Sequence, residues 1–364
     1  MTKRPAWERR FSAPQIGFPV WATAAPQRLA FRSNESGSWQ VWALDLDTGI
    51  RRQVTAEPVD VETVLMAPDG RIVWWRDDTG AERGRWMAAP FDGSDPGPLA
   101  PGCPDGWAQG ISFGADAVAL GIGTDTDYHL LVARAGAPPT ELWRSGRPIS
   151  VGALDAPGAG GLSADGRLVC ANHAEDSDIL HLALRVVDVV DGSRIADLRD
   201  PGSNLELVAW SPLPGDDRLL FTSELGSFER PAIWLPRDGE RRDLPVDVPG
   251  AAIPLGWWPD GSAILARHEY EGTFQLLRVD PGTGAATLIV DRPGEITEAA
   301  VRPDGAVWLA TSDSVHPRRI VDIDGHEVLA PPGERAPNGH PSQVVLVREP
   351  GGASRAGDRR DAAR

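Results

Sequence analysis

Short apolar runs recur along this chain, each introduced by the same kind of polar turn. The clearest copies are "APDGRIVWW" (67–75), "SADGRLVCA" (163–171), "WPDGSAILA" (258–266) and "RPDGAVWLA" (302–310). Weaker copies are "AAPQRLAFR" (24–32), "FGADAVALG" (113–121) and "LPGDDRLLF" (213–221). Anchored on Gln27, Asp69, Asp116, Asp165, Asp217, Asp260 and Asp304, the steps are 42, 47, 49, 52, 43 and 44 residues. Seven units of about 46 residues fall within the range of propeller repeats. Some 20 residues after each anchor comes a second strand–turn–strand phrase, such as "VWALDLDTGIRRQVT" (41–55) or "LLRVDPGTGAATLIV" (276–290). Asp or Asn before Gly supplies the positive-φ residue of a tight hairpin. Each unit therefore holds four strands: one before the first turn, one after it, a third with an alternating pattern, and a fourth beyond the second turn.

Four antiparallel strands per radial unit describe a propeller blade. The pattern predicts an all-β, seven-bladed β-propeller over 15–345, with blades starting near 18, 60, 106, 156, 205, 250 and 295. An N-terminal extension (1–14) precedes it and a disordered tail (346–364) follows. The first and last units both look complete, so no blade is expected to be shared between the termini. Closing such a ring protects sheet edges from aggregation. Trp39, Trp42, Trp74, Trp75, Trp210, Trp257 and Trp258 fall on or beside strands and read as packing between blades.

Composition agrees with many short strands. Among 364 residues, 40 are Gly, 33 Pro and 14 Trp, which favours turns and aromatic anchors over long helices. The net charge of −16 argues against a nucleic-acid partner, because phosphate binders concentrate Lys and Arg. Only Cys103 and Cys170 are present, which fits a reducing, cytoplasmic setting rather than a disulfide scaffold. No apolar run approaches the roughly 18 residues of a membrane helix, so no membrane partner is expected. The opening "MTKRPAWERRFSAPQIGFPVWATAAP" has basic residues and an A-x-A-like "ATA", but Pro14, Gln15 and Pro19 break its middle. It reads as an ordinary first strand, not a secretion signal.

"GISFG" (110–114) fits the G-x-S-x-G pattern of a hydrolase nucleophile elbow. An elbow needs a helix after its serine. Here "ADAVALGIG" follows, which is strand-like, and Gly121 and Gly123 weaken any helix. In the repeat register Ser112 lies at the end of a first strand, before a degenerate P-D-G turn, and is read as structural.

"GLSADGRLVCANHAEDSDILHLALRVVD", "FERPAIWLPRDGERRDLPVDVPG", "WWPDGSAILARHEYEGTFQLLRVDPGTG" and "VHPRRIVDIDGHEVLAPPGERAP" resemble the propeller domain of prolyl-oligopeptidase-family serine peptidases. The acylaminoacyl-peptidase-like branch in actinobacteria is the nearest likeness. The resemblance spans roughly 15–340. In that family an α/β-hydrolase domain with a Ser-Asp-His triad follows the propeller. Here "REPGGASRAGDRRDAAR" follows, and no position matches a triad residue.

What the resemblance implies is a face, formed by loops between second and third strands and loops leading into each blade, like the one turned toward the hydrolase and its substrate. The corresponding polar positions are Arg76, Asp77 and Asp78; Asp125, Asp127 and His129; His173, Glu175, Asp176, Asp178 and His181; Glu224, Glu229 and Arg230; and His268, Glu269 and Glu271. Of these, Arg76, His129, His173, Asp176, His181, Glu224, Arg230, His268 and Glu269 are the candidate binding residues. No catalytic residue is assigned. The spacing of eight in "HAEDSDILH" (173–181) is not a common ligand spacing, so no metal and no cofactor is expected. "HEYE" (268–271) raises a His/Glu acid–base pair, and such loops can converge on a central channel to hold a small cationic or polar ligand.

These features lead to a stand-alone peptidase-related propeller, without the serine hydrolase domain, binding a small molecule, peptide or partner protein. Two alternatives stay open. One is a propeller cyclase, isomerase or lyase of specialised metabolism using loop-face His, Asp and Glu. The other is the propeller half of a split peptidase, paired with a separate hydrolase subunit.

Overall fold

A computed structural model describes residues 4–152, 160–175, 179–225, 228–292, 294–341, 343–348 and 354–359. After a short helix, α1 (Ala6–Ser12), the chain is built of strands. Sheet 1 takes β1 (Val20–Ala22), β2 (Ala25–Ser33), β3 (Gln40–Asp45) and β4 (Arg51–Gln53). Sheet 2 has eight strands: β5 (Val64–Met66), β6 (Ile72–Asp77), β7 (Arg83–Ala89), β8 (Gly97–Pro98), β9 (Gly106–Phe113), β10 (Ala117–Gly123), β11 (Tyr128–Arg134) and β12 (Thr140–Ser145). Sheet 3 takes β13 (Ile149–Ser150), β14 (Leu168–His173), β15 (Ala183–Asp188) and β16 (Arg194–Leu198). Sheet 4 takes β17 (Leu205–Trp210), β18 (Leu219–Leu225), β19 (Phe228–Leu235) and β20 (Glu240–Asp243). Sheet 5 takes β21 (Ala251–Trp257), β22 (Ile264–Tyr270), β23 (Thr273–Val279) and β24 (Ala286–Asp291). Sheet 6 takes β25 (Glu295–Val301), β26 (Val307–Ser312), β27 (Arg319–Asp322) and β28 (Glu327–Leu329). A hairpin of β29 (Gln343–Arg348) and β30 (Ser354–Arg359) pairs only with itself among the described residues.

The strands pair antiparallel with their chain neighbours, apart from the join inside sheet 2, and one isolated parallel bridge links Gly160 to Ala209. There β7 meets β9 through two residue pairs, Arg83↔Trp107 and Gly84↔Gly106. The repeat anchors land where the pattern placed them, in the first hairpin of each four-strand unit. In four P-D-G-type turns the N–H of Gly70, Gly166, Gly261 and Gly305 bonds back three residues, and each glycine has φ between 67° and 89°. The aspartate before it accepts the N–H two residues on, as Asp69 does from Arg71 and Asp165 from Arg167. That combination of left-handed backbone and Asx capping is why this phrase repeats.

The second strand of each unit explains the continuous apolar runs, because both its faces are buried. On β6, Ile72 and Trp74 join a cluster shared with sheet 1, while Val73 and Trp75 face β9–β11. On β26, Val307 and Leu309 face sheet 5, while Trp308 and Ala310 face sheet 1. Alternate residues of one strand thus serve two interfaces. Each fully buried large side chain, such as Trp74 or Leu309, stabilises the fold by about 1.5–3 kcal/mol.

Seven apolar clusters link the four-strand units in cyclic order, and the last ties sheet 6 to sheet 1 through Ala300, Trp308 and Ile320 against Phe18, Leu29 and Phe31. Arg302 reinforces that seam: its guanidinium lies 4.2 Å from the Trp308 ring, and its Nη2 donates to the Pro26 carbonyl. Arg318 also donates to the Ile16 carbonyl across the seam. First strands contact first strands of neighbouring units, as β1 does β5 and β17 does β21, so they lie innermost. Fourth strands lie outermost, and β4 (RRQ) and β20 (ERRD) are short and polar, which blunts their open edges.

The opening segment differs from expectation. Instead of continuous strand it forms α1, and strand geometry begins only at Val20. Ala6, Glu8, Arg9 and Arg10 favour helix, and an Arg4–Glu8 ion pair spans one turn at 3.8 Å. Of the expected tail, 349–353 and 360–364 lie outside the described residues.

Candidate functional site

The residues expected in loops on one face mostly sit on strand ends, because the hairpins run on as paired backbone. His129 pairs across to Ile122 and Arg144, His173 to Ala183, and His268 to Ala252 and Gln275. All three imidazoles are buried, His173 to 1% exposure.

Each histidine has a different setting. His129 Nδ1 lies 2.7 Å from Glu141 Oε2, and the same carboxylate accepts from Arg144. Partial burial would raise the Glu141 pKa, but the hydrogen bonds from His129 and Arg144 outweigh it and hold the carboxyl below its ordinary range. His173 stacks edge-on against Trp143 at 5.3 Å, and its Nδ1 accepts the Glu175 N–H. His268 Nε2 faces the Pro249 carbonyl at 2.6 Å, and its Nδ1 faces Gln275 Oε1 at 2.8 Å.

Glu175 belongs to a compensated network. Arg185 reaches Glu175 at 2.6 Å and Asp197 at 2.7 Å, and its guanidinium covers the Trp143 ring at 4.4 Å. Desolvation works against the charges here, yet Arg185 is held above its ordinary pKa and Glu175 below its own. Arg76 lies 2.9 Å from Asp78 and 3.2 Å from Glu57. Arg230 is a clamp: it donates to the Val248 and Gly250 carbonyls of the connection between sheets 4 and 5, and burial lowers its pKa. His181 is half-buried just before β15, and Asp176 lies outside the described residues.

A different arrangement occurs where sheets 4 and 5 meet. Glu224 and Glu229 pair across the β18–β19 hairpin, Glu206 lies on the innermost strand β17, and Glu269 lies on β22. Burial raises the Glu229 carboxyl, and the charges of Glu206, Glu269 and Glu224 raise it further, with Arg267 opposing. Glu206 reaches water, but the protein around it also raises its pKa. Arg267 is already 2.6 Å from Glu269. Such a group is able to attract a cation or take up a proton. Glu206 and Arg267 escape sequence reasoning. The signal present was a lone Glu in the apolar strand "LELVAW" nearest the axis.

Ser112 lies in β9, paired with Ala119 of β10, and is 1% exposed. Its Oγ accepts the Leu162 N–H at 2.8 Å. Gly110 has φ of 94°, and a Cβ there would lie 1.9 Å from the Val151 carbonyl oxygen. The glycine before this serine serves blade packing, and strand β10, not a helix, follows.

Other chemistry is sparse. Burial raises the half-buried Cys103 thiol to about 11, which keeps it unreactive. Among the described residues, Asp322, Asp324 and His326 place potential metal ligands within 4.8 Å of one another, in an exposed β27–β28 turn. Asp322 Oδ1 is already engaged there by the N–H groups of Asp324 and His326. No helix of the described residues is long and apolar enough to cross a membrane.

No protein-family model matches this chain, and no curated protein matches it. Solved structures do. A prolyl endopeptidase aligns with TM-score 0.63 and 17% identity, over 96% of this chain and 54% of that one. The β-propeller domain of the Trilobed protease from Pyrococcus furiosus aligns with TM-score 0.63 and 13% identity, over 87% and 95%. An oligogalacturonate lyase in complex with manganese aligns with TM-score 0.61 and 13% identity, over 82% and 86%. The chain thus spans about half the length of the prolyl endopeptidase it matches. This protein has an all-β propeller fold of four-stranded antiparallel sheets, the fold that the propellers of prolyl-endopeptidase-type peptidases also have.

Proposed function

We propose that this chain is a seven-bladed, peptidase-related propeller that binds a cationic ligand, either a small molecule, a peptide or a basic segment of a partner protein, through the face where hairpins and channel meet. The blade count is supported by the seven apolar clusters in cyclic order and by the slender two-pair join inside sheet 2, which leaves β5–β8 and β9–β12 as separate blades. One observation carries the binding reading: Glu224 and Glu229 lie opposite each other across one hairpin, and the charges of Glu206, Glu224 and Glu269 all act on Glu229 against that of Arg267. Like charges are held together at a cost, and a bound cation relieves it.

Calorimetric titration of the full chain with trilysine amide tests this, with fully acetylated trilysine amide as the uncharged control. Trilysine should bind saturably, and the double variant Glu206→Gln/Glu229→Gln should weaken it at least tenfold. Equal binding by that variant, or by the acetylated control, would sink the reading.

The lyase neighbour favours a second reading, a propeller enzyme, because it is matched over 86% of its own length. His129, His173 and His268 would then be the imidazoles to test, by alanine substitution against turnover. Manganese is a property of that neighbour. The Asp322–Asp324–His326 turn lies on an outer hairpin and does not fit a metal at the candidate face. The prolyl endopeptidase alignment, which leaves about half of that chain uncovered, also keeps a separate hydrolase subunit in view as a partner, testable by co-purification.

A further inference from the structure

We infer that a second site, selective for carboxylate anions, lies at the seam between sheets 6 and 1. A cavity of about 360 Å³ opens there, walled by the segment after α1, the loop between β26 and β27, and the stretch that follows β28. Four arginines line it, Arg10, Arg318, Arg319 and Arg335, against two carboxylates, Asp313 and Glu327. Both carboxylates are already engaged. Asp313 holds His316 at 2.8 Å, and Glu327 holds Arg335. Arg318 is held by Glu298 and the Ile16 carbonyl.

Arg10 and Arg319 remain. Among the described residues neither guanidinium makes a hydrogen bond or an ion pair, and Nε of Arg319 is buried without an acceptor. Both are only partly exposed. The chain carries 52 acidic residues and a net charge of −16, so carboxylates to pair them were abundant elsewhere on the surface. Two guanidinium groups without a protein counter-charge line one cavity, with Arg319 Nε buried, and an external anion supplies the acceptor they lack.

The shape of the donors points to the anion. A guanidinium is a planar fork that matches a carboxylate through two parallel hydrogen bonds. The remaining walls mix apolar Ile16 and Pro317 with amide groups of Gln15 and Asn338, as suits a short organic acid or the end of a peptide. The volume is at the small end of ligand pockets, roughly 300–1,000 Å³, so the occupant is a small molecule or a chain terminus rather than a folded domain. This inference is independent of the acidic region, which lies between other sheets and selects the opposite charge.

The test is calorimetric titration of the full chain with four probes: acetyl-trialanine free acid, its amide, succinate and inorganic phosphate. At least one of the two carboxylates should bind saturably, with the amide at least tenfold weaker. Succinate binding alone identifies a small acid as the source, and the peptide acid binding alone identifies a chain terminus. Arg319→Gln should weaken the binding at least tenfold, while Arg319→Lys should restore it only in part, since it keeps charge but loses the fork. Arg10→Gln, outside the ring of sheets, should weaken it similarly. Both Gln variants should keep or raise the ligand-free Tm, because unpaired charge is removed. No binding by either carboxylate, equal binding of the amide, preference for phosphate, or a lowered ligand-free Tm with unchanged affinity would each overturn the proposal.

Discussion

Around Trp143, where sheets 2 and 3 meet, Arg185 lies between Glu175 and Asp197 and over an indole ring, so every charge has an opposite. Where sheets 4 and 5 meet, the charges of Glu206, Glu224 and Glu269 act on Glu229, and Arg267, which opposes them, is already paired with Glu269. Both regions are built from the same strand ends on the same scaffold. The first is settled internally and needs no ligand. The second stays unbalanced, and its imbalance shows as carboxyl groups held above their ordinary range. Charge compensation, more than residue type, separates the two regions.

The comparison is easiest to break from its settled side. Arg185→Ala should leave Glu175 and Asp197 uncompensated and uncover Trp143. We expect a loss of about 2–3 kcal/mol, below the full cost of a buried pair because both carboxylates are partly exposed. Urea unfolding measures it, and a loss under half a kcal/mol would remove the contrast. Ser112→Ala comes next, at about 1–2 kcal/mol, since it strands the buried Leu162 N–H. The wild-type serine should also stay unlabelled by a fluorophosphonate probe.

The smallest effect probes the unsettled side. The Glu229 carboxyl is raised in the folded protein, so the native state holds its proton to higher pH than the unfolded chain does. Stability should therefore fall as pH rises from the ordinary carboxylate range through the raised value. Glu229→Gln should flatten that slope. It should stabilise the protein by up to about 1 kcal/mol at pH 7, and by nothing at about pH 3, where both states are protonated. Urea unfolding at the two pH values reads the difference, and destabilisation at pH 7 would show that Glu229 is paired.

Much of the fold was legible because its causes are local. An Asp that caps its own turn and a glycine with left-handed backbone must sit side by side, so the phrase marks each first hairpin. Runs such as "RIVWW" are apolar throughout because both strand faces are covered. The join through Gly84 and Gly106 was not legible, since it depends on how two neighbouring units lean together. For the site, the histidines could be named but their burial could not. Whether His268 is a free base or a buried residue facing the Pro249 carbonyl depends on a connection 19 residues away. Arg10 and Arg319 were invisible as a pair, because only ring closure brings them to one cavity.

Among the described residues, no strand of sheet 1 comes from the end of the chain, and no strand of sheet 6 from its beginning. The circle is closed across that gap by side chains alone, whereas backbone pairing crosses the junction inside sheet 2 and, at Gly160 and Ala209, the one between sheets 3 and 4. Joining its ends and cutting at any junction other than the one inside sheet 2 would leave every hydrogen-bonded sheet whole. By the same logic a unit outside sheet 2 could be duplicated or deleted without re-pairing the strands of another sheet, which makes the number of units, and with it the width of the central opening, a quantity that recombination alone could change.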